Sequence, residues 1–357
     1  MLTGHGGNIY HYARQWGCTP YDIVDMSSNI NPLGTPDHLV NWLQKYMNNM
    51  ISHLPEVDDF ELNQKFASCY DLPNDRVLAG NGTTPFIYGL PDILAIKKAI
   101  IFGPTYADYA DACYRHNVQV CYILSNIEDH FSPHLDIPDE YSDTDCVFIC
   151  NPNNPTGTIL KSKDLIDFCS RYPHIRFIID ESYMPFVMSE DQYSLLHSGL
   201  DNVIILYSFS KIFCIPGLRL GFFIAPPNII EKFNNHAIPW SVNALAQQSG
   251  LSLLTHWKES KTYINESKAY IAYEKNRLLN RLNGSAFYKS FPSYTSFVLL
   301  QLQNGLSAST IFSYLAKERI LIRNCENFKG LSDQYIRISL KQSDINDKLI
   351  SLLMQYH

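Results

Sequence analysis

Ser208-Phe209-Ser210-Lys211-Ile212-Phe213-Cys214-Ile215-Pro216-Gly217-Leu218-Arg219-Leu220-Gly221 follows directly on the apolar run Val203-Ile204-Ile205-Leu206-Tyr207. A run without polar alternation reads as a strand buried on both faces, the kind found in parallel sheets covered by helices. The lysine therefore stands just past a buried strand, preceded by two hydroxyls and followed eight residues on by an arginine. An amine so placed can condense with an aldehyde, and Ser208, Ser210 and Arg219 offer the donors that a dianionic phosphate ester needs. The two functions together describe a pyridoxal 5'-phosphate site. A Ser-x-Ser-Lys string alone reads more readily as a solvated loop, and it is the surrounding chain that decides.

Short apolar runs of the same kind recur upstream and downstream: Ala99-Ile100-Ile101-Phe102-Gly103, Cys146-Val147-Phe148-Ile149-Cys150, Phe177-Ile178-Ile179-Asp180-Glu181 and Leu220-Gly221-Phe222-Phe223-Ile224. Helix-compatible stretches such as 163–170 lie between several of them. This alternation predicts an α/β fold with a mainly parallel sheet covered by helices, its ligands gathered at the carboxyl ends of the strands. From about 247 to 282 the pattern is helical, and beyond it strands at 294–302, 320–323 and 335–340 with helices at 310–318 and 344–354 predict a smaller α+β domain. We place an N-terminal arm and part of the small domain at 1–40, the large cofactor-binding domain at 41–282 and the C-terminal small domain at 283–357.

Other residues supply what a pyridoxal ring requires. Asp180 ends its strand with a carboxylate; such a residue can merely cap a strand, but an anion beside the pyridine nitrogen keeps the ring cationic and able to accept electrons. Tyr183, three residues on, is within reach of the ring's phenolic oxygen. In Asn151-Pro152-Asn153-Asn154-Pro155-Thr156-Gly157 the prolines favour a turn and fix the Asn154 amide on a rigid loop. Gly80-Asn81-Gly82-Thr83-Thr84 reads as a glycine-rich loop that can cradle phosphate near a helix N-terminus. Tyr106 in Gly103-Pro104-Thr105-Tyr106 is placed either to stack on a planar ring or to fill the core. Arg337 lies in the apolar strand Tyr335-Ile336-Arg337-Ile338-Ser339, where a buried guanidinium requires an anion, a substrate carboxylate or an internal partner.

Composition narrows the class of protein. The 357 residues are 46% apolar, enough for a sizeable core. A formal net charge of −7 with no cluster of lysines or arginines predicts no nucleic-acid and no membrane partner. Nine scattered cysteines without a Cys-x-x-Cys pair fit reduced thiols. With neither a signal-like N-terminus nor a membrane-length apolar stretch, the expected setting is cytoplasmic. No metal site is expected: in His130-Phe131-Ser132-Pro133-His134 the proline breaks helical presentation of the two imidazoles.

The ordered set Gly80-Asn81-Gly82, Tyr106, Asn154, Asp180, Tyr183, Ser208-x-Ser-Lys211, Arg219 and Arg337 resembles the fold-type I pyridoxal phosphate enzymes, the aspartate aminotransferase superfamily, across nearly the whole chain. His5-Gly6-Gly7-Asn8-Ile9, Ser27-Ser28-Asn29-Ile30-Asn31-Pro32-Leu33-Gly34, 239–245 and 321–331 are similar to segments of the L-threonine O-3-phosphate decarboxylases of cobalamin biosynthesis. The resemblance implies that Lys211 bonds the cofactor aldehyde, that Asp180 pairs with the ring nitrogen and that Tyr106 stacks. It implies that Gly82, Thr83, Thr84, Ser208, Ser210 and Arg219 belong to the cofactor site, that Arg337 and Asn154 hold the substrate carboxylate, and that His5, Gly6, Asn29 and Arg323 surround the substrate and its phosphate. The activity implied is decarboxylation of O-phospho-L-threonine or O-phospho-L-serine by a homodimer; the alternative is a histidinol-phosphate-type aminotransferase. Three positions depart from the family: Leu54-Pro55 stands where relatives carry Tyr-Pro, whose tyrosine reaches the neighbouring subunit's cofactor phosphate, Thr83 where a glutamate is common, and Ser296 where an asparagine is common.

Overall fold

The computed structural model describes residues 6–356. Its larger sheet has seven strands: β1 (Val77–Asn81), β2 (Lys98–Gly103), β3 (Gln119–Leu124), β4 (Cys146–Cys150), β5 (Arg176–Asp180), β6 (Val203–Ser208) and β7 (Leu220–Ile224), in the order β1-β7-β6-β5-β4-β2-β3. All neighbours are parallel except β7, which runs against both β1 and β6.

Every residue of β4, β6 and β7 is buried, as continuous apolar runs require. Successive side chains point to opposite faces and enter two separate cores. Val147, Ile149, Phe177, Ile179, Ile205 and Tyr207 join the core that also holds Leu62, Phe66, Leu165 and Phe168 of the helices Phe60–Cys69 and Ser162–Arg171. Phe148, Cys150, Ile178, Ile204 and Leu206 join the core formed with the helices Thr84–Ile93, Asp108–Arg115 and Pro227–Asn234.

A second, antiparallel sheet is built from β8 (Tyr288–Ser290), β9 (Phe297–Leu302), β10 (Arg323–Asn324) and β11 (Tyr335–Ser339) in the order β10-β11-β9-β8, flanked by the helices Ala308–Ala316 and Ser343–Gln355. The long helix Trp257–Leu282 runs between the two sheets in sequence. The N-terminal segment belongs structurally with the second sheet: Val24–Asp25 pairs in parallel with Ile320–Leu321, and the Ser339 N–H donates to the Met26 carbonyl at 2.9 Å.

Two details differ from the sequence reading. Gly80 and Asn81, read as loop, are the last residues of β1, because their backbone groups pair with Gly221 and Leu220. The strand expected over 320–323 is divided, Ile320–Leu321 facing the N-terminal segment and Arg323–Asn324 facing β11. Among the described residues all nine cysteines are unpaired, no group of side chains could hold a metal ion, and no helix is long and apolar enough to cross a membrane.

Candidate active site

Strand direction gathers the site. β2, β4, β5 and β6 are parallel and end at one edge of the sheet with Gly103, Cys150, Asp180 and Ser208. β7 starts at that edge, so Arg219 lies there, and β1 ends there, followed by Gly82. Tyr106, Asn154, Tyr183 and Lys211 occupy the loops and short helices that leave these strands and line two adjoining compartments in common.

The first compartment, about 630 Å³, is also lined by Gly82, Thr83, Thr84, Tyr109, Asp180, Ser208, Ser210 and Arg219. Burial first, then the positive charges of Arg219 and Arg337, pull the Lys211 ammonium down to about 8, with Asp180 opposing. Burial pushes Asp180 above the ordinary carboxylate range, against hydrogen bonds from Ser182 N–H to Oδ1 at 2.9 Å and from the Tyr109 hydroxyl to Oδ2 at 2.7 Å. Such a buried carboxylate regains its charge readily only beside a cation.

At the other end of this compartment the helix Thr84–Ile93 presents its N-terminus, and Thr83 makes no side-chain cap to it. Gly82 has φ of 78°, and a Cβ there would stand 2.7 Å from Arg219 Nη2, so glycine is needed for the loop to close on the guanidinium. Arg219 itself has φ of 60°, a conformation that non-glycine residues adopt chiefly where local strain serves a site. Ser208 faces the same space. The Ser210 hydroxyl is engaged with the Leu220 backbone, donating to its carbonyl at 3.1 Å and accepting from its N–H at 3.3 Å, so its proton is not spare for a phosphate.

Amine, buried carboxylate, aromatic ring and a guanidinium beside a helix N-terminus are the donor set that pyridoxal phosphate takes, and the residues fit it. The Tyr106 hydroxyl donates to Asp108 Oδ2 at 2.7 Å, which fixes the ring edge-on to Tyr109 at a centroid distance of 5.6 Å.

The second compartment, about 610 Å³, is lined by Gly6, Ser27, Ser28, Asn29, Arg323, Asn327, Phe328 and Arg337 besides the four shared residues. Arg337 is 4% exposed. Its Nη1 donates to Asn154 Oδ1 and its Nη2 to the Ser27 carbonyl, while its Nε has no partner. Because guanidinium only donates, it holds Oδ1 of Asn154 toward itself and turns the Nδ2 donor away. Burial pulls Arg337 below the usual arginine range, and it pulls Arg323 down to about 10 with help from the Arg337 charge. The two are paired residues of β10 and β11. Arg323 is steadied by Asn327 Oδ1, which accepts from Nη2 at 2.6 Å, and by the Phe328 ring 4.9 Å away.

Asn29 connects the two chain ends. Its Nδ2 donates to the Tyr183 hydroxyl at 3.0 Å, and its Oδ1 accepts from Ser339 at 2.6 Å. Burial holds the Tyr183 hydroxyl protonated, pushed up to about 12. Every residue expected at the site lines one of the compartments except His5, which lies outside the described residues. Tyr109, Ser27, Ser28 and Asn327 line them without having been given a role from the sequence; the last three lie inside the family-like strings 27–34 and 321–331.

Comparison with known proteins agrees with this geometry. A family model described as aminotransferase class I and II matches residues 21–353. The chain is 32% identical over 98% of its length to the adenosylcobalamin biosynthesis bifunctional protein CobDQ of Leptospira interrogans, and spans 40% of that protein's length. The crystal structure of L-threonine-O-3-phosphate decarboxylase from Porphyromonas gingivalis superposes with a TM-score of 0.84 at 29% identity, covering 94% of this chain and 99% of that one. Histidinol-phosphate aminotransferase from Clostridium acetobutylicum gives a TM-score of 0.84 at 30% identity, covering 93% and 98%.

Proposed function

Since the chain belongs to the family of class I and II aminotransferases and takes pyridoxal phosphate as its cofactor, we propose that it decarboxylates an O-phosphorylated small L-amino acid, threonine phosphate or serine phosphate, to the amino-alcohol phosphate. The observation that carries this reading is the pair of half-buried or buried arginines, Arg337 and Arg323, in one compartment beside the Lys211 amine. Like charges opposite one another on adjacent strands repel. A substrate with a carboxylate and a phosphate offers each guanidinium an anion and an amine for the lysine's position. The similarity to a threonine-phosphate decarboxylase supports the same choice.

When bound, the cofactor supplies an aldehyde for amines and a ring that accepts the electrons of a broken Cα bond. The protein supplies the rest. Asp180, braced by Tyr109 and Ser182, is the anion for the ring nitrogen; Gly82, Thr83, Thr84, Ser208 and Arg219 are the cradle for the cofactor phosphate. Arg337, with Nε unspent, and the Nδ2 donor of Asn154 anchor the substrate carboxylate. The position of that anchor decides which bond of Cα is presented for cleavage. Lys211 Nζ, drawn down to about 8, can hold or release a proton near neutral pH and return one to Cα. Arg323, with Asn327, takes the substrate phosphate, a charge-assisted contact of the fork type.

The proposal includes a homodimer in a cytoplasmic setting, consistent with the unpaired cysteines and with the exposed apolar side chains Ile51, Leu54, Val57 and Phe60. The test is product analysis of the purified holoenzyme with O-phospho-L-threonine and O-phospho-L-serine. Carbon dioxide release without a keto-acid acceptor is expected. Amino transfer that requires an acceptor, with no carbon dioxide released, replaces this reading with a histidinol-phosphate-type aminotransferase, the activity of a solved structure 30% identical to this chain.

A further inference from the structure

Asp25 is a carboxylate with no part in the chemistry above. It ends the strand Val24–Asp25, whose pairing with Ile320–Leu321 fixes it beside the second sheet. Both oxygens are engaged: Oδ1 accepts from the Ser27 N–H at 2.8 Å, the Ser27 hydroxyl at 2.6 Å and the Ser28 N–H at 3.2 Å, and Oδ2 accepts from the Ser28 hydroxyl. Four donors on one short side chain wind residues 25–28 into a tight turn.

That turn touches the substrate compartment on two sides. Its Ser27 carbonyl receives Arg337 Nη2, and its Ser27 Oγ accepts from the Gly7 N–H at 2.7 Å. The Gly6 backbone comes so close that a Cβ there would stand 2.3 Å from the Ser27 oxygen and 3.4 Å from Arg337 Nη2. Arg337 is thus held between two neutral oxygens, Asn154 Oδ1 and the Ser27 carbonyl, with Nε left over. A planar fork is useful only if its plane is fixed. One of the two points that fix this plane is the carbonyl that Asp25 sets in place.

We infer that Asp25 is a positioning residue: through the Ser27 carbonyl it aims the Arg337 guanidinium at the substrate carboxylate, and so makes the site select amino acids over the corresponding amines. This rests on the assignment of Arg337 to the carboxylate under Proposed function. The negative charge of Asp25 also favours the charged form of Arg337 and of Lys341. Asparagine at position 25 could keep the turn, its Oδ1 accepting from the same three donors and its Nδ2 donating to the Ser28 hydroxyl, whereas alanine removes all four contacts.

The test is the ratio of two apparent dissociation constants for the holoenzyme, read from the change in cofactor absorbance immediately after rapid mixing, before turnover: O-phospho-L-serine against O-phosphoethanolamine, which lacks only the carboxylate. Asp25→Ala should raise the ratio about tenfold, the loss expected when one charge-assisted contact is misplaced, with cofactor affinity unchanged. Equal weakening of both ligands, or no change, overturns the inference. If Asp25→Ala gives no folded holoenzyme, Ser28→Ala, which severs one contact to the carboxylate, should raise the ratio about two- to threefold; any effect of Ser28 on the phosphate cancels in the ratio. An unchanged ratio there overturns it too. If neither phosphorylated ligand binds the wild-type protein, the phosphate reading falls, and the same ratio taken with L-serine and ethanolamine still decides the role of Asp25.

Discussion

The two compartments that share Lys211 are assembled in different ways. The cofactor side draws its residues from 82 to 219, nearly all of them within a few positions of the edge of one sheet. The substrate side draws on residues 6–29 and 323–337, and its central contact, Ser27 with Arg337, joins positions 310 apart. Their charges differ as well: Asp180 faces Lys211 in the first, whereas the second concentrates Arg323 and Arg337. On the function proposed above, the cofactor chemistry is built on the edge of the sheet and the choice of substrate on the two chain ends folded against it. Each side can then change without the other, and substitutions should separate the two.

The largest effect is expected at Lys211, one of the four residues that line both compartments. Lys211→Ala removes the lysine amine that lines both compartments, and turnover should fall by about 10⁴-fold or more. The visible absorbance of lysine-bound cofactor should vanish with it. A variant that keeps both would place the cofactor lysine elsewhere.

The arginines divide the substrate side. Loss of one charge-assisted contact costs about 1.5–3 kcal/mol, or roughly ten- to a hundredfold in KM. Arg323→Ala should show this loss with O-phospho-L-threonine and leave binding of unphosphorylated L-threonine nearly unchanged. Arg337→Ala should weaken both, since both carry the carboxylate. Cofactor absorbance should survive in either variant. If the two substitutions discriminate the ligands in the opposite sense, the anion assignments are exchanged.

Lys211 also gives a pH dependence, set after burial by Arg219 on the cofactor side and Arg337 on the substrate side. Its ammonium is drawn down from 10.5 to about 8 by burial and by Arg219 and Arg337. Only the neutral amine attacks an aldehyde, so the rate at which the apoprotein takes up cofactor should fall about tenfold per pH unit below about 8 and level off above it. The same shift bears on stability: the unfolded chain binds this proton more tightly, so burying Lys211 penalises the folded apoprotein below about 8, and the penalty fades as pH rises from about 8 to 10.5. Uptake independent of pH from 6 to 9 would contradict a depressed lysine.

The division between the compartments is also a division in what the sequence discloses. Strands buried on both faces leave unbroken apolar runs, and in β4, β5 and β6 the site residue sits at or just past the end of the run. Asp180 and Lys211 could be found for that reason. The edge strand β3, exposed at both ends and half-buried between, has no such run, and β1 was hidden by the glycines at its end. Tyr109 looks like any aromatic on the inner face of a helix; only Asp180, 71 positions away, gives its hydroxyl a task. Asp25 is still less visible, because a turn of aspartate and serines reads as solvated loop until Arg337 is seen to rest on it. Arg337 and Arg323 could be named from the sequence, but their pairing across β10 and β11 is a matter of register between strands.

The smallest effect is expected at Leu54, and it concerns whether the cofactor side is complete within one chain. Leu54 is 78% exposed and lines neither compartment of its own chain. Around it Ile51, Val57 and Phe60 are exposed as well, and the Trp240 N–H donates to the Val57 carbonyl at 3.2 Å, bringing half-exposed Trp240 to the same surface. In the homodimer proposed above, this apolar surface would face a second copy of the chain, and Leu54 would be directed at the neighbour's cofactor phosphate. Leu54→Tyr would then add one donor there, worth about 0.5–1.5 kcal/mol at most, and cofactor binding should tighten by up to about tenfold or stay unchanged. Sedimentation at micromolar concentration should show a dimer. A fully active monomer would remove the second copy from the site, and a large loss of cofactor affinity in Leu54→Tyr would mean that residues 53–57 take another course in the assembled protein.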